Sequence, residues 1–69
     1  MKNLPKIVAK NIQKLLVERN KSAEKLAYEI GMSKSFVYEF LRGEKDMTLT
    51  SLQKVADGLD VEARDLLND

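Results

Sequence analysis

Four punctuating residues, Ser22, Gly31, Ser33 and Gly43, confine the middle of this chain, "SAEKLAYEIGMSKSFVYEFLRG". Serine is a favoured helix N-cap because its hydroxyl accepts a bond from a backbone N–H that has no partner inside the helix. Glycine ends helices because it enters the left-handed conformation without strain. Between the first pair lies "AEKLAYEI", with Leu26, Ala27 and Ile30 on one side. Between the second lies "KSFVYEFLR", with Val37 and Phe40 at helical spacing. Each segment makes about two turns, too few to hold as an isolated helix, so packing must hold both. Two short helices joined by a turn of about three residues that contains a glycine form a helix-turn-helix.

The flanking sequence is helical as well. From about Leu4 to Arg19, Val8, Ile12, Leu15 and Leu16 recur at helical spacing, and Asn20 and Lys21 end the run. Thr48 caps "LTSLQKVADGL", which puts Leu49, Leu52, Val55, Ala56 and Leu59 on one stripe, and "EARDLL" reads as a last short helix. No strand, repeat or linker interrupts the pattern. The expectation is an all-α fold of five helices in one domain spanning residues 1–69, with the helix-turn-helix at about 22–42. A chain of 69 residues buries roughly 60% of its unfolded surface, enough for one core.

The same residues narrow the chemistry. With no cysteine and no histidine, the chain lacks disulfides, thiolate ligands, the usual general base and the commonest transition-metal ligand. No enzymatic activity, metal ion or cofactor is expected. The apolar run in "MKNLPKIVAK" stops at three residues, short of a signal or membrane-spanning segment, which implies no membrane partner and a cytoplasmic protein. The net charge of +1 is unevenly spread. Residues 1–45 carry ten Lys/Arg against five Glu, a balance of +5, whereas residues 46–69 carry two against six acids, a balance of −4. Folded with these parts on different sides, the chain would offer one basic surface to an anion.

The stretch "SAEKLAYEIGMSKSFVYEFLRGEKDMTLTSLQKVADGLDVEARDLL" resembles the Cro and phage-repressor (Xre) type of helix-turn-helix DNA-binding domain, with a lambda-repressor-like fold. The family's N-capping Ser/Thr, "LA", Gly, apolar residue, second cap and closing Gly are matched by Ser22, Leu26 and Ala27, Gly31, Met32, Ser33 and Gly43, and its following helix by Met47 to Leu59. The likeness covers about Ile12 to Leu67. The chain departs from the pattern in three places. Ala23 stands where a phosphate-gripping Gln is usual, leaving the backbone N–H groups there to meet a phosphate. Leu16 and Leu41 replace a buried Arg–Glu pair, an exchange that is often neutral or stabilising because desolvating two charges costs about what their attraction returns. Met47 stands at a position often held by Pro.

The resemblance implies a sequence-specific transcriptional regulator with its third helix in the DNA major groove, where the N-terminal residues of a recognition helix reach base edges. Base contacts then fall to Lys34, which can donate to guanine, Ser35, Phe36 against a thymine methyl, and Glu39, which can accept from cytosine N4. Phosphate contacts fall to Ser22, Ala23, Lys25, Tyr38, Arg42 and Lys45, with Lys21 nearby. Lys2, Lys6, Lys10 and Lys14 read as solubilising charge.

One such domain reads few base pairs, so the implied partner is an inverted-repeat operator bound by a homodimer, its half-sites about one helical turn, ~34 Å, apart. About four phosphates per subunit would set a salt slope near −7. Val61, Leu66 and Leu67, with the far side of the fourth helix, are the candidate dimer surface; the alternative, at least as strong for Leu66, is that these side chains close the monomer core. The loop and fourth helix look most like the restriction-modification controllers, among bacterial and phage regulators that work at the nucleoid. The competing reading is a protein-interaction module that kept the fold and lost DNA binding, which Ala23, Glu39 and the modest charge would allow.

Overall fold

The computed structural model describes residues 3–68. They form four α-helices, α1 (Leu4–Glu18), α2 (Ala23–Ile30), α3 (Lys34–Leu41) and α4 (Leu49–Gly58), followed by a 3-10 turn at Ala63–Leu66. Every helix starts on a side-chain cap. The side-chain oxygens of Asn3, Ser22, Ser33 and Thr48 accept from the backbone N–H of Lys6, Lys25, Phe36 and Ser51, each at 3.1 Å.

Every helix also ends the same way. A left-handed residue, Asn20, Gly31, Gly43 or Asp60, follows the last turn. The next N–H then reaches back to an orphan carbonyl: Lys21 to Leu16 at 2.9 Å, Met32 to Ala27 at 3.0 Å, Glu44 to Glu39 at 3.3 Å and Val61 to Ala56 at 3.0 Å. Asn and Asp are the side chains that best tolerate this backbone, which explains why two of the exits need no glycine. Gly43 has a second reason to be glycine, because a Cβ there would lie 3.0 Å from Lys6 Cγ.

The core is built from Val8, Ile12 and Leu16 of α1, Leu26 and Ala27 of α2, Val37 of α3, Leu52, Val55 and Ala56 of α4, and Leu59 and Leu66 beyond it. Leu16 is buried and Leu41 packs against the cluster, so the apolar pair found in place of an Arg–Glu pair is part of the packing. α3 rests on α1 and α2, while the 3-10 turn rests on α1 and α4. At Gly58 the side chains of α2 press on the backbone of α4: a Cβ there would sit 2.6 Å from Ile30 Cγ2 and 2.9 Å from Leu26 Cδ1. Asn11 and Gln13 stitch α1 to other parts of the chain, the first donating to the carbonyls of Leu66 at 2.8 Å and Asn68 at 2.7 Å, the second to that of Leu41 at 2.6 Å.

The structure corrects three expectations. The fifth helix is a single 3-10 turn. Its bonds run three residues back, from the Asp65 N–H to the Glu62 carbonyl at 2.9 Å and from the Leu67 N–H to the Arg64 carbonyl at 3.1 Å, which is the tighter 3-10 register. Leu66 is 0% exposed, which leaves it no surface to offer a second copy. Leu49, expected on the buried stripe of α4, is 84% exposed. It is the first residue of α4 and stands at the rim of a groove of about 450 Å³ lined by Leu4, Pro5, Phe40, Met47 and Leu67 rather than under a neighbouring helix. Lys2 and Asp69 lie outside the described residues.

Candidate nucleic-acid interface

The two faces of α3 divide cleanly. Val37 and Phe40 are buried, and Met32 and Leu41 pack against the core from either end. Lys34, Ser35 and Tyr38 are exposed, and Glu39 is partly buried. The outward row begins in the first turn, immediately after the Ser33 cap, so the side chains of Lys34 and Ser35 project from the helix N-terminus with no element over them.

Phe36 has a more particular setting than its position predicts. It is 38% exposed, its ring lies 5.2 Å from that of Phe40 at 59°, and the Lys45 ammonium sits 4.2 Å above its centroid. An edge-tilted ring pair and a cation over a ring face are both favourable electrostatic arrangements. The ring therefore bridges the core to the loop after α3, and keeps the Lys45 charge on the α3 face.

Contacts across the turns join the expected contact residues into one surface. Lys34 Nζ lies 3.8 Å from Glu24 in the first turn of α2, beside the Ser22 cap, Ala23 and Lys25. Lys45 Nζ lies 3.7 Å from Glu39. Arg42 Nε donates to Glu44 at 2.8 Å, and that hydrogen bond, followed by the attraction of the carboxylate, raises the Arg42 pKa above its ordinary value. Ala23 is half-buried against the core, so only its backbone is available to a ligand.

Lys21 leaves this surface. Its ammonium reaches Glu29 at 2.6 Å and the Gly58 carbonyl at 3.0 Å. It therefore ties the start of α2 to the end of α4 and is withdrawn from the basic set. Glu44 was legible as a negative charge within the region, but Glu24, which holds Lys34, was not. Glu24 and Lys34 are ten positions apart across a turn, a separation that leaves no helical periodicity to find. Of the dimer candidates, Leu67 is exposed and Val61 half-buried, whereas Leu66 belongs to the core.

Among the described residues, no group of His, Cys, Asp and Glu is placed to hold a metal ion, and no helix is long and apolar enough to cross a membrane.

This arrangement has clear relatives. The Control protein C.BamHI of Bacillus amyloliquefaciens is 32% identical over 53 residues, 77% of this chain and 65% of that protein, so the match spans just under two thirds of that relative. The restriction-modification controller protein C.AhdI from Aeromonas hydrophila superposes with a TM-score of 0.86 at 29% identity, over 90% of this chain and 94% of that one. A hypothetical transcription factor, NHTF, from Neisseria gives 0.90 at 29% identity, over 94% of this chain and 75% of that one. Residues 11–69 match the family model of the Cro/C1-type HTH DNA-binding domain. With both helices of the motif capped and packed as that family requires, the chain belongs to the Cro/C1-type helix-turn-helix DNA-binding domain family.

Proposed function

We propose that this protein is a transcriptional regulator of the controller type that binds an inverted-repeat operator as a homodimer, with α3 of each copy in a major groove. The observation that carries this reading is the open first turn of α3. Lys34 and Ser35 project from a capped helix N-terminus, flanked on one side by the α2 N-terminus and on the other by Arg42 and Lys45. A recognition helix places its N-terminal side chains at base edges in this way, while its neighbours fix register on the backbone. Lys34 and Ser35 read bases in this account, with Phe36 and Glu39 deeper along the helix. The hydroxyls of Ser22 and Tyr38, the Ala23 N–H and the cations of Lys25, Arg42 and Lys45 hold phosphates.

The dimer surface lies at the groove between the N-terminus of α1 and the start of α4. Its rim carries three exposed leucines, Leu4, Leu49 and Leu67, an apolar grouping of the kind that marks interaction sites. Leu67 remains in this interface, whereas Val61 lies beyond the far end of α4 and lines no part of the groove. The protein acts in the cytoplasm, where it meets the DNA that it regulates.

A hydroxyl-radical footprint on the DNA upstream of the protein's own gene tests this reading. The expected result is two protected segments on one face of the duplex, their centres ~34 Å apart. A single protected segment would remove the dimer. No protection on any inverted repeat there would remove the DNA-binding function and favour the protein-interaction alternative.

A further inference from the structure

By sequence, Lys6 counts among the solubilising lysines of the chain, and the fold sets it apart. It stands in the first turn of α1, and its stem lies against Gly43, the left-handed residue that follows α3. A Cβ on that glycine would be 3.0 Å from Lys6 Cγ and 3.4 Å from Lys6 Cα. Two helical turns further along α1, on the same face, Gln13 donates to the Leu41 carbonyl at 2.6 Å. This face of α1 is therefore laid along the exit of α3, where Arg42 and Lys45 stand. Lys14 lies on another face, beside Asn11, Asp65 and Asn68 at the C-terminal turn.

The exit of α3 is short of positive charge. Residues 39–46 hold two cations, Arg42 and Lys45, against three acids, Glu39, Glu44 and Asp46. Arg42 is paired with Glu44 and Lys45 with Glu39. A segment of net charge −1 does not draw in a phosphate by its own balance. Lys6 brings a further cation to this place from a distant part of the sequence. Helix stability gives no reason for that charge, because a cation in the first turn meets the positive end of the macrodipole, and the first turn of α1 has no acid to offset it. A phosphate beside Gly43 does give a reason.

Resting on the DNA-binding reading above, we infer that Lys6 is a further phosphate-binding residue of this surface, supplied by α1 to the exit of α3 from outside the helix-turn-helix. Asn3 fixes the turn that carries it by accepting from the Lys6 N–H at 3.1 Å, and Gly43 leaves room for its stem. Phosphates are present in every duplex, so Lys6 adds affinity and register and no base preference.

Phosphate-ethylation interference on the operator, with wild type, Lys6→Gln, Lys6→Arg and Lys14→Gln, tests this, together with titrations of the operator and a random duplex across salt concentrations. With Lys6→Gln, one phosphate in each half-site whose ethylation blocks the wild type should cease to interfere. The salt slope should become shallower by about 1.8, roughly 0.9 for each of two copies. Operator and random duplex should weaken by about the same factor, on the order of tenfold at physiological salt. Lys6→Arg and Lys14→Gln should keep the wild-type interference map. The melting temperature of Lys6→Gln should equal or slightly exceed that of wild type, since the variant removes a charge of the unfavourable sign from the first turn of α1.

The inference is overturned if Lys6→Gln keeps the wild-type interference map, whatever it does to the slope, or if Lys14→Gln loses the same phosphate. A lower melting temperature with interference weakened at every phosphate would also overturn it, because Lys6 would then act through the fold. Those results leave DNA binding itself intact. Wild type failing to bind either duplex would remove the DNA-binding reading, and this inference with it.

Discussion

Leu26→Ala is expected to lose about 2–5 kcal/mol of folding stability, the largest effect of any single truncation in α2. Leu26 is 0% exposed, and its Cδ1 packs so closely on the backbone of α4 that a Cβ at Gly58 would lie 2.9 Å from it. Removing it opens a cavity between the two helices that neither can close, because the caps at Ser22 and Gly31 fix the ends of α2. At the usual 0.05–0.15 kcal/mol per residue, a chain of this length has a total stability of only about 3–10 kcal/mol. The variant should therefore lose a third or more of its stability, with a correspondingly lower melting temperature. Urea denaturation followed by circular dichroism checks this, and a destabilisation below about 1 kcal/mol would mean that α2 does not dock on α4 as described.

The second large effect is a contrast between two cations on the same surface. Lys34→Ala should relax preference at one base pair of each half-site, weakening binding by about 1–3 kcal/mol on operators that carry the preferred base there, with little change on others. Arg42→Ala should weaken every operator by a similar factor and make the salt slope shallower by about 1 for each phosphate it no longer holds. Titrating both variants against operators with single base-pair replacements separates the two roles. If the two variants give the same profile across the replacements, Lys34 is not a base-reading residue.

Most of the architecture was legible because it is written in local signals. Ser22, Ser33 and Thr48 announce helix starts by chemistry confined to four residues, and Gly31 and Gly43 announce exits by their backbone freedom. The buried rows of α1, α2 and α3 follow from period alone. Periodicity failed at Leu49, because position on a stripe says which side a residue faces and not whether another helix covers that end. It failed again at the C-terminal turn, where the N–H groups of Asp65 and Leu67 bond the carbonyls three residues back, a hydrogen-bond register that apolar spacing over a single turn does not distinguish.

Within the site, the outward residues of α3 could be named from spacing and resemblance. The partners that hold them could not. Glu24 on Lys34, Glu44 on Arg42, and Lys45 over the Phe36 ring are contacts across turns and loops. No repeating interval in the sequence encodes them. They matter because they set the charge that the surface presents, which a count of lysines and arginines overstates.

The central claim is that this surface binds DNA by sequence and through phosphates. A fluorescence titration of the wild-type protein against the inverted repeat upstream of its own gene, repeated across salt concentrations, tests it most directly. With about four phosphates held by each subunit, the logarithm of the affinity should fall against that of the salt concentration with a slope near −7. A random duplex should bind at least about 10³-fold more weakly at physiological salt. Binding that ignores salt, or that is equal on the repeat and the random duplex, would contradict the account.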